Sequence, residues 1–160
     1  MIIQFDKKVF YSLPIDAIGH ACFEPMVPVY QEGMRKKSGQ DAQEFRAEFY
    51  QSLTPGQRAL FGIFTFYDHA VRSKDEFQRI TTLYLSGGFF AIVKKGAEYF
   101  EAEKMQNLLL DMEEAFNEQN RERKSRVVEL YDRLLEITPH TLIRIGAFIK
   151  ETPAEFVSFV

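Results

Sequence analysis

The apolar positions of this chain recur with helical periods. Leu60, Phe64, Tyr67 and Val71 are spaced by four, three and four residues, which puts them on one helix face. Phe61, Ile63 and Phe66 cover much of the remaining circumference. A helix that is apolar nearly all round is a buried one, so 55–72 is predicted to be the central helix. Phe77, Ile80, Thr81 and Tyr84 mark the next helix, which should end at Gly87-Gly88. Residues 89–95 read as a short helix closed by Gly96, with a strand as the alternative because Phe, Ile and Val suit both. Met105, Leu108, Leu109, Met112 and Phe116 form another amphipathic stripe, and Val127, Leu130, Tyr131, Leu134 and Leu135 a further one. Between them, 117–126 has no apolar residue; it is either a loop between antiparallel helices or the exposed middle of a longer helix.

Punctuation supports this reading. Thr-Pro occurs at 54–55, 138–139 and 152–153. Thr is a good N-cap, and Pro suits the first helical position, where its missing N–H would be unpaired anyway. Thr54 to Gln57, Ser73 to Glu76 and Thr152 to Glu155 have capping-box spacing. Helix starts are therefore predicted near 55, 74, 139 and 153. Phe45, Phe49 and Tyr50 mark a helix beginning near Gln40. The segment 14–37 is helical in pattern but holds Pro25 and Pro28, so a break is expected near 24–28. Residues 2–12 are open to an extended conformation. The predicted fold class is all-α: one domain over 1–160, with seven or eight short helices around the buried central helix.

Composition narrows the class further. At 160 residues the chain is long enough to bury a core without disulfides or metals. With 46% hydrophobic and 27% charged residues, global disorder is excluded. Sixteen Phe and seven Tyr with no Trp point to a Phe-rich helical core, with an exposed aromatic contact patch as the alternative. The single cysteine, Cys22, excludes an intrachain disulfide and any Cys-rich zinc site. It fits a reducing compartment, and the N-terminus lacks the pattern of a signal peptide, so a cytoplasmic location is expected. The longest uncharged apolar-rich stretch, Ala59 to Tyr67, is nine residues. A membrane-spanning helix needs ~20, so no membrane insertion is expected.

Three histidines are present, but no His-Glu-x-x-His, paired-Cys, Walker or dinucleotide spacing occurs. Asp68 and His69 are adjacent, and adjacent helical residues point ~100° apart, so they do not form a relay by spacing. No catalytic, metal-ligating or cofactor-binding residue is assigned, and no cofactor is expected. Charge layout is more distinctive. The chain carries a formal net charge of −3, which does not favour a generic nucleic-acid binder. Residues 98–118 hold seven acids and one base, whereas 119–126 hold four bases and one acid. Glu103, Asn107, Asp111, Glu114 and Glu118 fall within about 80° on a helix, opposite the Met/Leu/Phe stripe, and span about 22 Å. Such a face is either the solvated back of an amphipathic helix or a negative rail for a basic partner.

The block Leu53-Thr54-Pro55-Gly56-Gln57-Arg58-Ala59-Leu60-Phe61 resembles the opening of a domain of unknown function in the bacterial DNA-mimic protein family. There a similar Pro-Gly-Gln-Arg-Ala-Leu segment leads into a long apolar helix, an Asn-Gly-Gly-Phe turn and then an acidic helical segment. Here Phe77 takes the place of the turn's Phe, while Lys74-Asp75-Glu76 stands where Asn-Gly-Gly would. Gly96-Ala97-Glu98 through Met112-Glu113-Glu114 is a second point of similarity. The resemblance implies a small, mainly helical bacterial cytosolic protein whose relatives act by occupying a DNA-binding protein. It assigns no functional residue, because the matching positions are a cap and a core helix.

Three functional classes follow, the last being a self-associating structural component that a concentration-dependent mass in solution would reveal. The first is a non-enzymatic protein-interaction protein, monomer or homodimer. Its partner-binding residues would be Glu103, Asp111, Glu114 and Glu118, facing a basic or DNA-binding protein, and an immunity-type toxin inhibitor is a variant. The second is a small-ligand-binding protein or enzyme with a pocket among Phe61, Phe64, Phe89 and Phe90. A cavity of at least ~300 Å³ with convergent polar groups distinguishes it.

Overall fold

The computed structural model describes residues 1–117 and 123–160. Among these, nine α-helices are arranged around one continuous cluster of buried side chains that runs from Ile3 to Val157. The fold is all-α, as the periodicity predicts. The central helix α5 (Pro55–Ala70) is capped as expected: the Gln57 N–H donates to Thr54 Oγ1 at 3.1 Å, and Thr54 N–H donates back to Gln57 Oε1 at 3.2 Å. Its apolar circumference is covered by α2 (Ile18–Phe23), α6 (Lys74–Ser86) and α7 (Phe90–Tyr99). Helix α6 stops where Gly87 and Gly88 stand, the latter at φ +75°.

Two antiparallel helices close the other side of the core. Along α8 (Glu103–Asn117) and the turn before it, Glu101, Asp111 and Glu114 meet Arg144, Arg133 and Arg126 of α9 (Arg123–Glu151) in reverse order. Of the charged segment 117–126, Asn117 ends α8 and 123–126 open α9; residues 118–122, Glu118 included, lie outside the described residues. The chain ends are tied together. Strand β1 (Gln4–Phe5) pairs in parallel with β2 (Ser158–Phe159), in the register Gln4 with Ser158 and Phe5 with Phe159.

Four expectations are corrected. Thr138-Pro139 does not start a helix; Pro139 lies inside α9. The buried positions Val127, Leu130, Leu134, Thr141, Ile145 and Ile149 keep helical spacing through the proline, so one helix spans both halves of the core. Thr152-Pro153 opens only the single 3-10 turn Pro153–Glu155, because Thr152 Oγ1 donates backwards to Phe148 O at 2.8 Å. Gly96 does not close α7 but lies inside it. A Cβ there would stand 2.7 Å from the Ala59 carbonyl oxygen, so the glycine is what lets α7 press onto α5. Finally, only Gln4–Phe5 of residues 2–12 is extended: Asp6 caps α1 (Lys7–Ser12), accepting from Val9 N–H at 2.9 Å.

The predicted break near Pro25 and Pro28 separates α2 from α3 (Met26–Met34), and α4 (Gly39–Ser52) begins next to Gln40. Pro28 falls in the first turn of α3, where backbone N–H groups have no intrahelical acceptor. Helices α3 and α4 form a hairpin that leans on α5 through aromatic rings. Phe61 of α5 is the pivot, with ring centroids 5.2 Å from Tyr30, 5.1 Å from Phe49 and 6.1 Å from Tyr50.

Candidate functional site

Rings that prop one layer away from another leave space beside them. Between the α3–α4 hairpin and the layer α5–α6–α7 lies an open cleft of about 810 Å³. Its apolar walls include Phe23, Val27, Phe61, Phe64, Leu83, Phe89 and Ile92. Three of the four expected phenylalanines, Phe61, Phe64 and Phe89, line it; Phe90 instead turns into the core, 2% exposed and 5.9 Å from the Phe66 ring. The floor depends on Gly62. A Cβ there would meet Ile92 Cγ2 at 2.8 Å and Tyr50 Oη at 3.2 Å.

The polar groups fall into two sets, phenols and charged groups. Tyr30, Tyr50 and Tyr84 converge from α3, α4 and α6. Burial raises the Tyr50 phenol well above its ordinary value, and the nearby Tyr84 and Tyr30 add to the effect. Burial also raises Tyr84, partly offset by its hydrogen bond with Thr65. These phenols can donate or accept a hydrogen bond while presenting an aromatic face.

The outer end is charged. Asp68 and His69 both line the cleft but take different partners, as their adjacent positions on a helix require. Asp68 Oδ1 is 2.9 Å from His20 Nε2, and His69 Nδ1 is 2.9 Å from Glu76 Oε1. Glu76 is also gripped by Arg79, whose Nε and Nη2 donate at 2.8 and 2.6 Å. The Arg79 guanidinium, and after it His69, hold the Glu76 carboxyl at about 2, well below the ordinary value of 4.5. This use of Glu76 explains why Ser73 caps α6 by accepting from Glu76 N–H at 3.1 Å while the carboxylate faces elsewhere.

Two rim cations remain. The Arg46 guanidinium lies 5.9 Å from the Phe89 ring centroid, and Arg72 stands just beyond the end of α5. Among the described residues neither is in an ion pair with a carboxylate. Cys22 is fully buried away from the cleft, and burial pushes its thiol up to about 12. No group of three or more His, Cys, Asp or Glu among the described residues could hold a metal ion.

The acidic face of α8 is divided. Glu103 and Glu114 are exposed, Glu103 in the first turn, where the helix dipole favours an acid. Asp111 is half-buried against α9, with Arg133 Nη1 at 2.7 Å, and Glu114 has Arg126 Nη2 at 3.7 Å. Glu113 on the neighbouring edge accepts from Lys94 of α7 at 2.6 Å. Asp111, Glu113 and Glu114 therefore meet bases of the same chain, whereas Glu103 has no ion pair among the described residues.

Sequence reasoning found part of the cleft's wall and missed its polar complement. Tyr30, Arg46, Tyr50, Arg72 and Tyr84 come from different helices, and no spacing along the chain links them. The one available signal was aromatic residues on otherwise polar helices, such as Phe45, Phe49 and Tyr50 on α4. Comparison with protein-family models, with curated proteins and with solved structures finds no match to this chain. No helix among the described residues is long and apolar enough to cross a membrane.

Proposed function

We propose that this protein binds a small amphiphilic molecule in the cleft between the α3–α4 hairpin and α5–α6–α7. The observation that carries the reading is the cleft itself: about 810 Å³, walled by Phe and aliphatic side chains, with Tyr30, Tyr50 and Tyr84 inside and charged groups at the mouth. Small-molecule sites run to ~300–1,000 Å³ and combine an apolar lining with a few placed polar groups. The reading is preferred to a contact made by the acidic face, because Asp111 and Glu114 already have Arg133 and Arg126 beside them.

The neutral dye N-phenylnaphthylamine, which fluoresces when it leaves water, tests this. It should bind the native protein with micromolar affinity. Ala47 lines the cleft on the exposed side of α4, so Ala47→Trp fills the space without disturbing the core. That variant should keep the thermal midpoint and lose the dye signal. Dye binding that persists in Ala47→Trp would place the ligand elsewhere and remove the basis for this function.

A further inference from the structure

We infer that the ligand of this cleft is an anionic amphiphile, an apolar body bearing an acid group that is drawn to a rim carrying Arg46 and Arg72. The inference rests on the binding function proposed above and specifies its chemistry. The protein as a whole is negative, at −3, yet at this mouth Arg46, Arg72 and Arg79 outnumber Asp68 and Glu76. Asp68 is taken by His20 and Arg79 by Glu76, which leaves Arg46 and Arg72 without a carboxylate among the described residues.

An arginine fork matches a carboxylate, sulfonate or phosphate in shape as well as charge, and a hydrogen bond to a charged group is about twice as strong as a neutral one. Water beyond the open mouth can solvate the rest of the acid group, so the anion need not be fully desolvated. The apolar body lies inward, against Phe61, Phe64 and Phe89. A second copy of this chain fits less well. An interface that holds a stable dimer buries more than ~1,000 Å², whereas this hollow has the volume of one ligand-sized molecule.

Two dyes with one skeleton separate the claims. N-phenylnaphthylamine has no charge, and anilinonaphthalene sulfonate adds a sulfonate to the same rings. The native protein should prefer the sulfonate. In Arg46→Ala/Arg72→Ala the ratio of the two affinities should fall about tenfold or more, the loss expected for a charge-assisted bond. Using the ratio cancels any general loosening of the cleft. Arg46→Lys in the Arg72→Ala background should recover part of the ratio, because charge is kept and the fork is lost.

A ratio that does not move in the double variant overturns the inference while the cleft remains a binding site. If neither dye binds, or both bind Ala47→Trp as they bind the native chain, the binding function itself fails and the inference with it. A concentration-dependent dimer that Ala47→Trp abolishes, with no dye bound, would assign the cleft to a second copy and overturn both.

Discussion

At the scale of single residues, side chains placed for local reasons also make the long-range ties. Gln57 completes the cap of α5, but it is also 2% exposed, and its Nε2 donates to Met1 O at 3.0 Å and to Phe156 O at 2.9 Å. Thr54 Oγ1 similarly accepts from Gln57 and donates to the Glu155 carbonyl. One cap thus anchors both chain ends. Glu76 is a second case, since its charged form is held by Arg79 and His69. Its carboxyl titrates lower in the folded chain, so the folded state favours the deprotonated form. The stability this adds is whole above about pH 4.5 and disappears as pH falls towards about 2. Glu76→Gln should lower the urea midpoint at neutral pH and flatten the acid limb through that window, meeting the wild type at its lower end. Parallel acid limbs for the two proteins would count against this account.

At the scale of elements, burial on both sides of a helix outweighs a local stop signal. Pro139 has no N–H for the Leu135 carbonyl, and a proline inside a helix costs about 3 kcal/mol. The helix continues because Val127, Leu130 and Leu134 before it, and Ile145 and Ile149 after it, are all buried on the same body. Fully burying each such side chain contributes about 1.5–3 kcal/mol. Pro139 itself is exposed, as is Leu135, whose carbonyl lacks the donor. Pro139→Ala should therefore stabilise the protein by about 1–3 kcal/mol, since it restores the backbone bond without removing packing. Denaturant unfolding measures this, and a neutral or destabilising result would mean that the proline shapes the chain in a way the continuous stripe does not explain. Helix α8 illustrates the same competition in charge. Its acids point to solvent in isolation, but α9 brings Arg133 and Arg126 to Asp111 and Glu114.

At the scale of the whole molecule, a tightly packed body carries a more loosely attached hairpin. Helices α5 and α7 approach closely through Gly62 and Gly96, whereas α3–α4 reaches α5 through the rings around Phe61. Regions with fewer buried contacts open at lower free energy. A ligand that touches both walls should close that difference, because whatever binds only the folded form stabilises it by mass action. N-phenylnaphthylamine should slow amide exchange in α3 and α4 more than in α5 and α7, and should do so in the native protein but not in Ala47→Trp. Protection spread evenly over the chain would show that the dye does not bridge the hairpin to the body.

What the chain determined on its own is local. The cap at Thr54, the cap at Ser73, the stop at Gly87-Gly88, the break at Pro25 and the buried face of α5 each depend on residues within about one helical turn, over which capping bonds and side-chain periodicity act. The all-α class followed from those signals. Tertiary structure decided the rest. It carried α9 through Pro139, kept Gly96 inside α7, drew Phe90 inward, gave Asp111 to Arg133, and joined His20 to Asp68 across forty-eight positions. The cleft belongs to this second group, because its walls and rim come from helices that meet only when the shared core forms. A short-range pattern identifies which face of a helix is apolar; which other helix covers that face, and where the cover is incomplete, depends on the packing of all of them at once.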